Sequence, residues 1–185
     1  MQADWEFEVG GDAPVIEFPW PAFVDLAAEP ERVRELTEVE DLPALADALV
    51  ALNSSRSAVR TSKCDVWVPA LGEVDADELD ASAESAVHAI GCYIDLLPRD
   101  HRQWATPEQV EFDCRRWCGV LDEVPLGSSG VNFVVRATAG QSDSLSLGIT
   151  AYLAACGATP TEAKAVLGKE LAAFAHVLCA DSKLQ

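Results

Sequence analysis

The chain has 185 residues, 49% of them hydrophobic and 24% charged, and a formal net charge of −18 at pH 7. That length suits one domain with a full core and no disulfide staples. A field this negative excludes bare nucleic acid and anionic membranes as partners, and no apolar run reaches the roughly 18 residues that a bilayer span requires.

The negative charge is unevenly placed. Residues 1–60 hold 13 acids and 4 bases, residues 61–100 hold 9 and 2, and residues 101–185 hold 9 and 7. The excess therefore lies almost wholly in the first 100 residues. The N-terminus is acidic and lacks the basic and apolar regions of a secretory signal, which predicts a cytoplasmic protein. Six cysteines, Cys64, Cys92, Cys114, Cys118, Cys156 and Cys179, form no C-x-x-C pair. They read as reduced thiols used as small apolar side chains.

In chain order, Trp5, Phe7 and Val9 alternate with Asp4, Glu6 and Glu8, the period of a half-buried strand. Gly10-Gly11-Asp12 can turn the chain into a second strand at Val15-Ile16, giving an N-terminal hairpin. Pro14, Pro19 and Pro21 then impose an irregular stretch. A short helix is expected over 30–37, with Pro30 in its first turn, and a better one from Leu42 to Leu52, where Leu45, Leu49 and Leu52 recur at helical spacing. Cys64 to Val68 reads as a strand. Val74 to Ser85 is an acidic, Ala-rich loop or weak helix, and Val87 to Leu97 is a strand stopped by Pro98.

Thr106-Pro107-Glu108-Gln109 is a capping box that opens a helix to about Val120. Strands follow at Val131 to Thr138 and Leu145 to Ala155, separated by turns at Gly127–Gly130 and Gly140–Ser144. Thr159-Pro160-Thr161-Glu162 repeats the capping box and opens a helix to about Cys179. From residue 87 the order is strand, helix, strand, strand, helix. It resembles a ferredoxin-like βαββα run in residues 87–180, which implies an antiparallel sheet with helices on one face. The expected fold is thus α+β and a single domain over 1–185. An acidic N-terminal extension, the hairpin and helices of 1–60, packs on the 61–185 sheet and helix unit. The Cys64 strand or the hairpin would complete the sheet.

The candidate chemistry is thin. Cys114 and Cys118 share a helix face, but Val110, Trp117 and Leu121 lie on the same stripe, so burial explains both thiols better than a metal does. His88 shares strand parity with Ile90, Cys92, Ile94 and Leu96 and is expected half-buried, whereas His176 should face water. Arg99-Asp100-His101-Arg102 is the most enzyme-like run, and reads as a solvated polar loop. No nucleophile elbow, zinc or phosphate-loop motif is present. No catalytic residue, metal site or cofactor is assigned, and the reading leans away from an enzyme.

Strand parity supplies the sharper idea. If the aliphatic faces of the strands all meet the helices, the opposite face gathers Asp65, Trp67, Tyr93, Asp95, Asn132, Arg136, Thr150 and Tyr152. Of these, Trp67, Tyr93, Asp95, Asn132, Arg136 and Tyr152 are the candidate ligand-binding residues, aromatic bodies with a few polar heads. The competing expectation is that the N-terminal segment, with Trp5, Phe18, Trp20 and Phe23, packs across this face. Three readings stand open. One is a non-enzymatic binding protein for a basic protein partner. The second is a small-molecule binder or enzyme in which Arg136 holds an anionic group and Asp95 accepts a proton. The third is a homo-oligomer paired through the sheet.

Overall fold

A computed structural model describes residues 1–69, 78–82, 86–100, 102–139 and 146–180. The elements in order are β1 (Gln2–Phe7), β2 (Ile16–Glu17), two 3₁₀ turns (Pro30–Glu35 and Thr37–Val39), α1 (Pro43–Asn53), β3 (Val59–Trp67), β4 (His88–Pro98), α2 (Pro107–Asp122), β5 (Ser129–Ala139), β6 (Ser146–Gly157) and α3 (Pro160–Ala180). The expected acidic segment at 74–85 falls mostly outside the described residues, as do His101 and the turn expected at 140–144.

The six strands form one mixed sheet in the order β1-β5-β6-β4-β3, with β2 also paired to β5. The expected antiparallel pairing holds for β5 with β6, β6 with β4 and β4 with β3. It fails at the N-terminus. β1 and β2 do not pair with each other as a hairpin; both lie parallel to β5 along its free edge. Gly10 to Val15 is therefore a connection along one edge, and the fold is mixed α+β with helices packed on the sheet.

All three helices cover the same face. Ile94 and Leu96 of β4, Val131, Phe133 and Val135 of β5, and Ile149, Ala151 and Leu153 of β6 are buried in one cluster with Leu45, Leu49, Val110, Trp117, Leu121, Leu167, Leu171 and Phe174 from the helices. Phe133 joins the two sides of this core, with ring centroids 5.6 Å from Trp117 and 5.9 Å from Phe174. Cys92, Cys114 and Cys118 lie in it as small apolar groups. Burial raises the pKa of each, which keeps them as thiols.

The capping chemistry fixes where the helices begin. At α2 the Thr106 hydroxyl and the Gln109 amide satisfy each other's backbone N–H, with Pro107 at the first turn. At α3 the Glu162 N–H donates to Thr159 Oγ1, while the Glu162 carboxylate accepts from the Ala158 N–H. Asn53 locks α1 to β3: its Nδ2 donates to Leu49 O and to Thr61 Oγ1, and its Oδ1 accepts from Thr61 N.

Candidate functional site

The helix-free face of the sheet is built from register. Across the strands, Asp4, Asn132, Tyr152, Tyr93 and Asp65 form one row. The row on one side is Gln2, Gly130, Ala154, Gly91 and Trp67; on the other side stand Glu6, Val134, Thr150 and Asp95. The alternation read from the sequence thus places Trp67, Tyr93, Asp95, Asn132, Arg136 and Tyr152 on one surface.

The three aromatic residues meet. Tyr152 lies 6.3 Å from Trp67, edge to face, and 6.1 Å from Tyr93. Trp67 can lie down here because its cross-strand partner is glycine: a Cβ on Gly91 would sit 2.6 Å from the indole ring. Trp67 keeps 37% of its surface exposed.

Below the rings runs a hydrogen-bonded relay. Arg136, with only 13% of its side chain exposed, donates through Nε (3.0 Å) and Nη2 (2.6 Å) to Glu8 Oε2. Its Nη1 donates to Tyr152 Oη at 3.1 Å and to Thr150 Oγ1 at 3.2 Å. The Thr150 hydroxyl in turn donates a hydrogen bond to Asp95 Oδ1 at 2.6 Å. Burial opposes the charge on Arg136, but Glu8 and Tyr152 hold its pKa above the ordinary value. Asp95, 6% exposed, moves the other way: desolvation raises its pKa against the pull of Thr150 and Arg136. Burial, then Asp95 and Asp65, pushes Tyr93 up to about 12, so its phenol stays protonated.

Arg136 is engaged by Glu8. The N-terminal segment covers only one end of the face. Residues 16–18 bridge the sheet there: Ile16 and Glu17 pair with β5, Ile16 packs on Gly148, and Ser62 Oγ of β3 donates to Glu17 O. Phe18 packs on Phe23 and under the Arg60 guanidinium, and Lys63 lies over Trp20. Trp5 turns to the helix side, beneath Arg115. At another border Leu79 sits over Gly130, beside a shallow cleft of about 430 Å³ shared by Asn132, Tyr152 and Glu78. Asn132 is held there by Glu6.

Carboxylates cap some of the N–H groups on the two outer edges of the sheet. On β1, the Trp5 N–H donates to Asp4 and the Ala3 N–H to Asp122; on β3, the Val66 N–H donates to Asp65.

The other sequence candidates do not assemble a site. His88 is exposed, because it is the first residue of β4, opposite Gly157 at the sheet's end; His176 is exposed as expected. Arg99 donates to Asn53 O and Ser54 O and so caps the end of α1, a structural role for the most enzyme-like run. Among the described residues no three His, Cys, Asp or Glu side chains gather to hold a metal, and no helix is long and apolar enough to cross a membrane.

Glu8, Glu6, Ile16 and Leu79 belong to this surface and were not placed on it by sequence reasoning. The alternation of β1 signalled that Glu6 and Glu8 share a face, but not which strand they would lie beside. The chain matches no family model, and neither a curated protein nor a solved structure is significantly similar to it.

Proposed function

We propose that this chain is a non-enzymatic binding protein whose helix-free sheet face receives a basic segment of a protein partner. The observation that carries the reading is the cluster of Trp67, Tyr93 and Tyr152 set in an acidic rim, beside two cations, Arg136 and Lys63, that are each paired with a glutamate. Arg136 is bound to Glu8 and Lys63 to Glu17, so Asp4, Glu6 and Asp65 set the sign of the surface. Aromatic rings edged by carboxylates attract lysine and arginine side chains through cation–π contact and charge together. The carboxylate-capped edges favour this face over pairing of copies through β1 or β3. The ferredoxin-like reading of residues 87–180 is kept as part of the proposal. It is supported by the order β5-β6-β4, with β3 beside β4 and helices α2 and α3 on one side.

The test is calorimetric titration of the protein with a lysine- and arginine-rich synthetic peptide and with its glutamate-rich counterpart. The basic peptide should bind, lose at least about tenfold in affinity between roughly 0.05 and 0.3 M salt, and lose about 30-fold with Trp67→Ala, the scale of an interface hot spot. Affinity that ignores both the salt and the substitution would sink the proposal.

A further inference from the structure

A second concavity lies between the outer edge of β3 and the segment 20–38, and its chemistry differs from that of the sheet face. Its volume is about 320 Å³, within the size range of small-ligand pockets. The floor is aliphatic, formed by Val24, Leu26, Leu36 and Leu49, and Trp20 and Tyr93 supply aromatic walls.

The polar groups of this cavity divide into those the fold uses and those it leaves. Thr61 Oγ1 accepts from Asn53, Ser62 Oγ donates to Glu17 O, the Ser62 carbonyl accepts from Trp20 Nε1, and Lys63 is paired with Glu17. Glu38 is half-buried, and its side chain makes no hydrogen bond or ion pair among the described residues. Asp65 spends one oxygen on the Val66 N–H. Both carboxylates line the cavity, and their field reaches its interior. The Cys64 thiol is pushed up to about 12 by burial and, after that, by Glu38, Asp65 and Asp95. An aliphatic floor under two carboxylates suits a ligand that is apolar at one end and cationic at the other.

We propose that this cavity binds a small amphipathic amine, its apolar body on Val24, Leu26, Leu36 and Leu49 and its ammonium between Glu38 and Asp65 beside the Tyr93 ring. An anion would meet two like charges there, and a neutral hydrocarbon would desolvate them without return. The site is separate from the proposed peptide face, although Tyr93 and Asp65 border both.

The test uses the full chain, labelled with ¹⁵N, and titrates phenethylamine against 3-phenylpropionate, a matched anion. The amine should shift the amide resonances of Leu36, Glu38, Cys64 and Asp65 in a saturable way, and the anion should not. Glu38→Gln, a change at a half-buried side chain without a hydrogen-bond partner among the described residues, should weaken the amine about fivefold at low salt. Leu36→Trp should fill the cavity and abolish the shifts. Trp67→Ala should leave the amine titration unchanged while it removes the basic peptide from the sheet face, which separates the two proposals. Equal binding of the anion, an unchanged amine affinity in Glu38→Gln, or no shift at about 20 mM amine, a concentration that reports even very weak sites, would each overturn the inference.

Discussion

Replacing Glu170 with glutamine should remove a loss of stability that the native fold suffers as pH rises. Glu170 sits midway along α3 on the stripe of Ala163, Leu167, Leu171, Phe174 and Leu178, the face that packs on the sheet. It is 0% exposed, and neither carboxylate oxygen has a hydrogen-bond partner among the described residues. Burial raises its pKa well above the ordinary carboxylate range, and the N-terminal ammonium offsets this only in part. The folded state therefore holds a proton that the unfolded chain has released. Stability from this group is complete below the ordinary carboxylate range and falls as pH rises, by about 1.4 kcal/mol for each pH unit over which Glu170 stays protonated. Against a typical total of about 5–15 kcal/mol, two such units matter. Urea unfolding of the native chain and of Glu170→Gln, from about pH 5 to about pH 8, isolates the effect, because all other titrating groups are shared. The two stability curves should diverge with that slope, the variant becoming the more stable at the upper end. Glu170→Leu, which also removes the unpartnered oxygens, should be more stable than the native chain throughout. Parallel curves would refute the reasoning, since they would mean that Glu170 is ionised in the fold.

Three further substitutions follow from the packing. Gly91→Ala places a methyl group 2.6 Å from the Trp67 ring; it should turn the indole out, cost about 1–3 kcal/mol, and raise tryptophan quenching by acrylamide. Asn53→Ala leaves the Leu49 carbonyl and both Thr61 groups without their clamp; thermal melting should register a loss of about 2–3 kcal/mol. Gly148→Val puts a Cβ 2.9 Å from Ile16 Cδ1 and 3.1 Å from the Leu96 carbonyl, so Ile16 should leave the sheet and proteolysis within residues 10–24 should accelerate, with cleavage elsewhere little changed.

The sequence carried the local rules of this fold better than its long-range pairing. The capping boxes placed the starts of α2 and α3, because the cap is chemistry within four consecutive residues. Strand parity sorted the sheet's two faces, because β4, β5 and β6 bury an aliphatic side against the helices and one register error would have inverted it. The same parity misjudged His88, which stands at the strand's end. β3 begins five residues before the expected Cys64. Its first half, Val59-Arg60-Thr61-Ser62-Lys63, reads as a polar loop, yet Thr61 meets Asn53 of the preceding helix, and Arg60, Ser62 and Lys63 meet Phe18 or Glu17, far away in the chain. A bulge between Thr61 and Cys64 breaks the alternation as well. The parallel addition of β1 and β2 to β5 had no local signal, since nothing in a Gly-Gly turn states whether its two arms pair with each other or with a third strand.

That parallel addition also explains where the N-terminal charge goes. A guanidinium as buried as that of Arg136 needs a carboxylate, and its own sheet neighbours supply only hydroxyls. β1 brings Glu8 to it, and the same strand covers the open edge of β5. Glu17 similarly fixes Lys63 at the other edge, Asp4 and Asp65 cap outer N–H groups, and Glu6 orients Asn132. Five of the 22 acids in the first 100 residues thus help to hold the sheet face in shape. On this face Trp67 lies over Gly91, Leu79 over Gly130 and Ile16 over Gly148, while Tyr93 and Tyr152 stay partly exposed. A basic partner would therefore meet the few carboxylate oxygens that the fold leaves without partners, beside those two rings, and its affinity should follow them rather than the net charge of the whole chain.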